Sequence, residues 1–287
     1  MRFVLLTLLG LFWSLRLVAM KAAGISGIPA DVIVTVAVCG LAILFSLVAI
    51  WRSQLPPITS DGVRFYILSG AVGFVAPFFL ESLIAPHLPV FVLATIIATM
   101  PLLTLGLAAI MRIESLETRS VLASILGFGA IVLLLVDMTG GPYGETAFIW
   151  LVAAFGIPLL YAANTVYVAS RWPESTDALD VAFAQAVVVS LAAAAGWIAF
   201  GNGSRLVLAS LNWTAVGVLV LCEGAALFLY LHIARRSGAS FVALANYLSI
   251  LFAALLGQWL FDDRLTILSI IAAFILIGAL TLRRRKT

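Results

Sequence analysis

A chain of 287 residues that is 64% hydrophobic and only 10% charged lies far from the composition of a soluble globular domain. Two cysteines exclude a disulfide framework, and two histidines leave too few ligands for a metal centre. The net charge of +3 is not gathered into basic blocks interleaved with exposed aromatics, which excludes a nucleic-acid surface.

Crossing a bilayer takes about 20 consecutive apolar residues. Such runs fall at 3–22, 31–50, 65–85, 89–111, 120–137, 146–169, 180–200, 212–234, 239–260 and 265–282. Backbone polar groups in lipid must be satisfied within the segment, so each run is predicted to be a helix. The first follows Met1-Arg2 and could be read as a signal peptide over Phe3–Trp13. Its continuation to Lys21 argues for a retained span instead. Cys39 in the second span and Cys222 in the eighth are expected to pack as small apolar thiols. The third, fourth and sixth spans carry Pro77, Pro101 and Pro158 near mid-depth, where each is expected to kink its helix. The fifth and tenth carry no buried charge, and Ser120 and Ser124 match Ser269 and Ala273; this pair is expected to be scaffold or a self-association surface. His87 is expected in an exposed loop and His232 at a helix end. The sequons Asn202-Gly203-Ser204 and Asn212-Trp213-Thr214 receive no functional weight.

The last five runs repeat the first five at one constant offset. Leu11-Phe12-Trp13-Ser14 falls on Leu160-Tyr161-Ala162-Ala163, Phe79-Leu80 on Phe228-Leu229, Glu114-Ser115-Leu116 on Asp263-Arg264-Leu265, and Gly129 on Gly278. An odd number of spans per copy makes the second copy enter the membrane from the opposite side. The predicted fold is therefore an all-α integral membrane protein of ten transmembrane helices in two inverted five-helix repeats, residues 1–140 and 145–287. Most of the 16 Lys and Arg residues fall on one side: Arg2, Arg52, Arg64, Arg112, Arg119, Arg171, Arg235, Arg236 and Arg283–Lys286. Lys21, Arg205 and Arg264 fall on the other. This bias predicts cytoplasmic termini. The loop lengths suit a bacterial inner membrane.

The first span carries Trp13-Ser14 and then Val18-Ala19-Met20-Lys21; the fourth reads Thr99-Met100-Pro101-Leu102, followed by Glu114, Leu116, Gly127 and Gly129. The ninth and tenth read Arg236-Ser237-Gly238-Ala239-Ser240, Tyr247, Asp262-Asp263-Arg264-Leu265 and Gly278. Over essentially the whole chain this pattern resembles the EamA-type family of the drug/metabolite transporter superfamily. The resemblance implies a ten-helix fold with cytoplasmic ends, a central cavity, and movement of small metabolites, often outward. Ser14 stands where that family usually has Gly, Asp263 where it usually has Glu, and Ile250 where a second proline pairs with Pro101.

Charges inside spans cost several kcal/mol, about 2.5–3.5 on lenient scales, so they are functional candidates by default. Glu223 lies mid-depth in the eighth span, with Tyr230 seven residues on along the same helical face. A carboxyl there suits either a silent structural acid or a proton-coupling group. Arg16, in the outer half of the first span, is assigned to the cavity. Glu81 lies at similar depth in the third and could pair with it, but is assigned to the outer interface by snorkelling. Tyr161 and Asn164 share one face of the sixth span, and Asn246-Tyr247 occupy the ninth; with Trp13 they complete a candidate lining. Asn164 also suits interhelical hydrogen bonding.

A membrane-embedded enzyme would need a nucleophile or metal constellation at one depth, and none is present. No nucleotide-binding motif or cofactor site is present either. Charges are scattered rather than ringed, which favours alternating access over a passive channel. The expected function is secondary transport of small amphiphilic or zwitterionic metabolites, amino acids first among them, outward and with proton coupling through Glu223 or Glu81. The expected partners are the substrate and membrane lipid, with the chain a monomer or homodimer. Cysteine-accessibility labelling tests the topology: a cysteine at Ser204 reacts from outside intact cells, and one at Ser237 reacts only after permeabilisation. Outside labelling at Ser237 would overturn both the orientation and the inverted repeat.

Overall fold

The computed structural model describes residues 2–52, 59–112, 118–140, 144–173, 176–200, 213–237 and 244–282. Glu114, the sequon at 202–204, Asn212 of the second sequon, Gly238-Ala239-Ser240 and the C-terminal basic residues lie outside the described residues. Every described element is helical, as expected of a chain whose backbone must satisfy its own hydrogen bonds in lipid. The helices are α1 (Arg2–Ile25), α2 (Ala30–Arg52), α3 (Ser60–Gly70), α4 (Ala76–Ile84), α5 (Val90–Ile97), α6 (Met100–Ile110), α7 (Thr118–Gly140), α8 (Gly144–Ala154), α9 (Gly156–Arg171), α10 (Ala178–Phe200), α11 (Trp213–Ser237), α12 (Leu244–Phe261) and α13 (Ile267–Leu282).

Seven segments among the described residues are long and apolar enough to cross a membrane: Arg2–Ile25, Ala30–Arg52, Ser60–Ile84, Val90–Ile110, Phe148–Arg171, Leu179–Ala199 and Trp213–Tyr230. Val121–Leu134, Ala245–Phe261 and Ile267–Ala279 are shorter apolar helices. Three segments are interrupted, and each interruption lies just ahead of a proline. A π turn, Ala71–Val75, joins α3 to α4 before Pro77. Ala98-Thr99 separates α5 from α6 before Pro101, and Phe155 separates α8 from α9 before Pro158. Proline has no N–H to donate, and its ring crowds the carbonyl four residues back, so the preceding turn must widen or break.

Helix α1 is the hub: it packs along α11 and α12 and reaches α4 and α5. Helix α2 lies against α10 and α11, α9 against α6 and α4, and α7 against α13. The crossing of α1 and α12 depends on Gly10, where a Cβ would sit 2.8 Å from Leu248 Cβ and 3.0 Å from the Ala245 carbonyl. Small residues permit such close backbone approach in the absence of a hydrophobic driving force between helices. Outward faces are apolar, with Ile43, Leu47, Ile125, Phe128, Val132, Leu255 and Phe274 all more than half exposed. In a membrane these faces meet lipid.

The pairing of α7 with α13 corrects one expectation. Asp137, near the end of α7, is a buried carboxylate. It accepts from the Thr266 hydroxyl and from Ser269 Oγ at 2.5 Å, at the first turn of α13. Thr266 Oγ1 in turn accepts from the Ser269 backbone N–H at 3.1 Å. A carboxylate is stabilised at a helix N-terminus by the free N–H groups and the helix dipole. The fifth predicted span therefore does hold a buried charge, and Ser269 serves as its hydrogen-bond donor rather than as a small packing residue.

The chain is clasped at one end by Arg52, the last residue of α2. Its guanidinium lies 2.6 Å from Asp177 Oδ2 and 3.8 Å from Asp180 Oδ1. Asp177 also caps α10, accepting from the Leu179 and Asp180 backbone N–H groups at 2.9 Å each. The guanidinium and these amides hold the Asp177 carboxyl down at about 2, against an ordinary 3.8. A lowered folded-state value contributes stability that is fully present above pH 3.8 and lost as the pH falls through about 2. With Asp177 about a third exposed, the effect belongs to the small surface range, about 0.2–1 kcal/mol. Melting of the purified protein in detergent should therefore fall between these two pH values. The Asp177→Asn variant should melt slightly lower at neutral pH and show a shallower acid decline.

Candidate functional site

Four helices meet around one guanidinium. Arg16 projects from α1 and is almost fully buried. Its Nη1 lies 2.5 Å from Glu81 Oε2 and its Nη2 donates to Glu81 Oε1 at 3.1 Å, a bidentate pair with α4. Tyr161 of α9 donates its hydroxyl to the same Glu81 Oε1 at 2.9 Å. Glu223 of α11 places Oε2 3.3 Å from Arg16 Nε. That last contact is electrostatic only, because neither Arg16 Nε nor Glu223 Oε2 has a hydrogen-bond partner. Phe78, three residues before Glu81, lies under the guanidinium with its ring centroid 5.4 Å away.

The pairing of Arg16 with Glu81 was one of two sequence expectations for these residues, and the other, Glu81 snorkelling to the interface, is corrected. Glu81 is 0% exposed. Two guanidinium N–H groups and a tyrosine hydroxyl satisfy it inside the protein, so it has nothing to gain by reaching for the headgroups. Alone, either charge would cost several kcal/mol at this depth; paired and hydrogen-bonded, both are tolerated.

The remaining candidates distribute unevenly. Trp13, one turn before Arg16, is partly buried, with its ring 6.5 Å from that of Tyr230 on α11. Tyr230 is 41% exposed, so it bounds the site instead of closing it. Asn164 lies one turn beyond Tyr161, with Oδ1 buried and without a hydrogen-bond donor. Its amide fills the space left by the missing side chain of Gly73 in the π turn. Asn246 and Tyr247 are partly buried on α12, Tyr247 against the main apolar cluster. His87 is exposed and stacks on Trp150 at 4.0 Å. Cys39 and Cys222 are free thiols.

Two features escaped the sequence. Ser14 donates to the Ser249 carbonyl at 2.7 Å, tying α1 to α12 two residues from Arg16. The second is a buried ion pair at the Lys21 end. Lys21 Nζ lies 2.5 Å from Asp263 Oδ1 and donates to the Leu88 carbonyl at 3.1 Å. Asp263 Oδ2 accepts from the Val90 N–H at 2.8 Å, and Lys21 Nζ lies 4.9 Å from the Phe261 ring centroid. Asp262 adopts a left-handed φ of 53°, which turns the chain sharply enough to deliver Asp263 into this position. The Asp262-Asp263 doublet after Phe261 was the available signal, but only the turn shows which aspartate is internal.

Breaking a buried pair from one side leaves an uncompensated charge, at a cost of about 3–5 kcal/mol. Lys21→Met should therefore lower folded yield and melting temperature sharply. The double variant Lys21→Met/Asp263→Asn should recover most of that loss, because Asn still accepts from Val90 N–H. Equal losses in single and double variants would show that the charges themselves are not coupled.

A solved crystal structure, described only as that of a protein, shares this fold. It is 18% identical, with a TM-score of 0.62 over 97% of this chain and 94% of that chain. No curated protein matches the chain significantly. The sequence model of the EamA-like transporter family matches residues 2–136, which contain Trp13, Arg16 and Glu81. Through these residues the first half of the chain is similar to the EamA-like transporter family of the drug/metabolite transporter superfamily.

Proposed function

We propose that this protein is a secondary transporter that moves small amphiphilic or zwitterionic metabolites outward by alternating access, with amino acids and related compounds as the leading class. The observation that carries the reading is the convergence of Arg16, Glu81, Tyr161 and Glu223 from four helices. Trp13, Asn164, Tyr230, Asn246 and Tyr247 complete the lining in this reading. Buried ionisable groups inside apolar helices are retained against their cost when they do work.

The ten-span arrangement, as two inverted repeats over 1–140 and 145–287, is supported by the constant offset between the two halves. The seven long apolar segments and three shorter ones are compatible with it. Arginine placement supports cytoplasmic termini in a bacterial inner membrane. Buried or half-buried ion pairs at Lys21–Asp263 and Arg52–Asp177 join different helices at different ends, as a carrier that opens to one side at a time requires. The helix breaks ahead of Pro77, Pro101 and Pro158 allow half-helices to move separately.

Glu223 is the leading coupling group, since Glu81 is already committed to Arg16 and Tyr161. Metabolites released by cells overexpressing the chain identify cargo, and transport of that cargo in proteoliposomes tests coupling. With cargo at saturating concentration, Glu223→Gln should fold and transport but lose its response to an imposed pH gradient, because Gln keeps the shape and removes the ionisable proton. A purely structural acid gives the reverse: Gln works normally, and Ala lowers expression by leaving partners unmatched. A wild-type rate with an unchanged gradient response would pass the coupling role to Glu81.

A further inference from the structure

The charged groups around Arg16 are unequally held. Arg16 is held by Glu81 through Nη1 and Nη2, so its guanidinium is engaged on the side that could clamp a carboxylate or phosphate. Glu223 Oε2 and Arg16 Nε face each other at 3.3 Å with neither hydrogen-bonded, so the Glu223 carboxylate keeps an oxygen open to a donor. The charge balance favours a cation, since two carboxylates face one guanidinium. Glu223 is also the member held least: its contact with Arg16 lacks hydrogen-bond geometry, and its side chain keeps 15% exposure where Glu81 has none.

From these observations we infer that the site recognises a substrate ammonium group through Glu223, with Arg16 as a positioning residue and not as the anchor for an anionic group. This rests on the carrier reading above and narrows its substrate class to amines and amino-group-bearing zwitterions. An ammonium brings up to three donors and a positive charge, which suit the open Glu223 Oε2 and the second carboxylate. A free carboxylate or phosphate would meet Glu223 and an already engaged guanidinium. The apolar part of the substrate has a surface in the Trp13–Tyr230 ring pair. Tyr230 is seven residues along α11 from Glu223, about 10 Å at 1.5 Å per residue, which suits an aryl or alkyl amine of modest length.

Three probes with one apolar body separate the alternatives: phenethylamine, phenylalanine and phenylacetate. Their binding to the purified full-length protein in detergent is followed by calorimetry. The expected order has phenethylamine at least about tenfold tighter than phenylacetate, with phenylalanine also above phenylacetate, the worth of one charge-assisted hydrogen bond. Glu223→Gln should weaken the amine by about ten- to a hundredfold, while Glu223→Asp, which keeps the charge, should retain the preference. Glu81→Gln should free the guanidinium and raise phenylacetate affinity relative to the amine. Phenylacetate binding as tightly as phenethylamine, or no amine binding at all, overturns the assignment in the wild-type protein alone, whatever the variants' folded yield. An unchanged amine preference in Glu223→Gln overturns it equally. Parallel flux in proteoliposomes keeps the two readings apart. Amine binding without flux leaves this inference standing and fails the carrier; flux without amine preference does the reverse.

Discussion

A guanidinium in the C-terminal half of an apolar helix has very few tolerable surroundings, and that constraint organises the centre of this protein. Arg16 cannot face lipid without a cost comparable to a sizeable share of a domain's net stability. Helix α1 must therefore be turned toward Glu81, and α4 and α11 must be turned so that both carboxylates come within reach. Tyr161 then has one productive place for its hydroxyl, on Glu81. Four helix rotations are coupled through one cation. The apolar contacts around it, Phe78 beneath the guanidinium and the close crossing of α1 with α12 at Gly10, follow from that orientation.

Polar contacts elsewhere sit near helix ends and obey the same logic with different partners. Lys21 is paired with Asp263 and donates to a backbone carbonyl, Arg52 is paired with Asp177 and Asp180, and Asp137 accepts from two hydroxyls at the head of α13. Each joins helices distant in sequence, so each is a point where relative movement must break or remake a strong contact. The weak places are equally defined: the π turn before Pro77 and the breaks before Pro101 and Pro158, where the helical ladder is already incomplete. Strong polar joints near the helix ends thus alternate with midpoints where the helical ladder is incomplete.

Membrane residence, helicity and the special status of Arg16 and Glu223 were legible in the sequence, because each follows from local composition. A long apolar run has only one soluble-free way to satisfy its backbone, and a lone charge within it announces itself. Glu81 was misread because depth alone cannot distinguish a residue that snorkels from one that turns inward. That choice is made by whether a partner is waiting, and the partner is 65 positions away. Lys21 and Asp263 were harder still. Both sit at span ends, where charged residues are ordinary, and only the left-handed turn at Asp262 converts two end residues into a buried pair. Asp137 was passed over for the same reason.

By itself, then, the sequence determined the solvent this chain lives in, the helical class of its elements and the residues too costly to be idle. Tertiary structure alone decided which of those residues meet. Hydrophobicity is additive along a chain and can be summed from residue types, whereas the tolerance of a buried charge depends on a second group brought within about 3 Å by the packing of other helices. That distance is a property of the fold, and it is what separates Glu81, engaged on both oxygens, from Glu223, whose Oε2 is left without a donor.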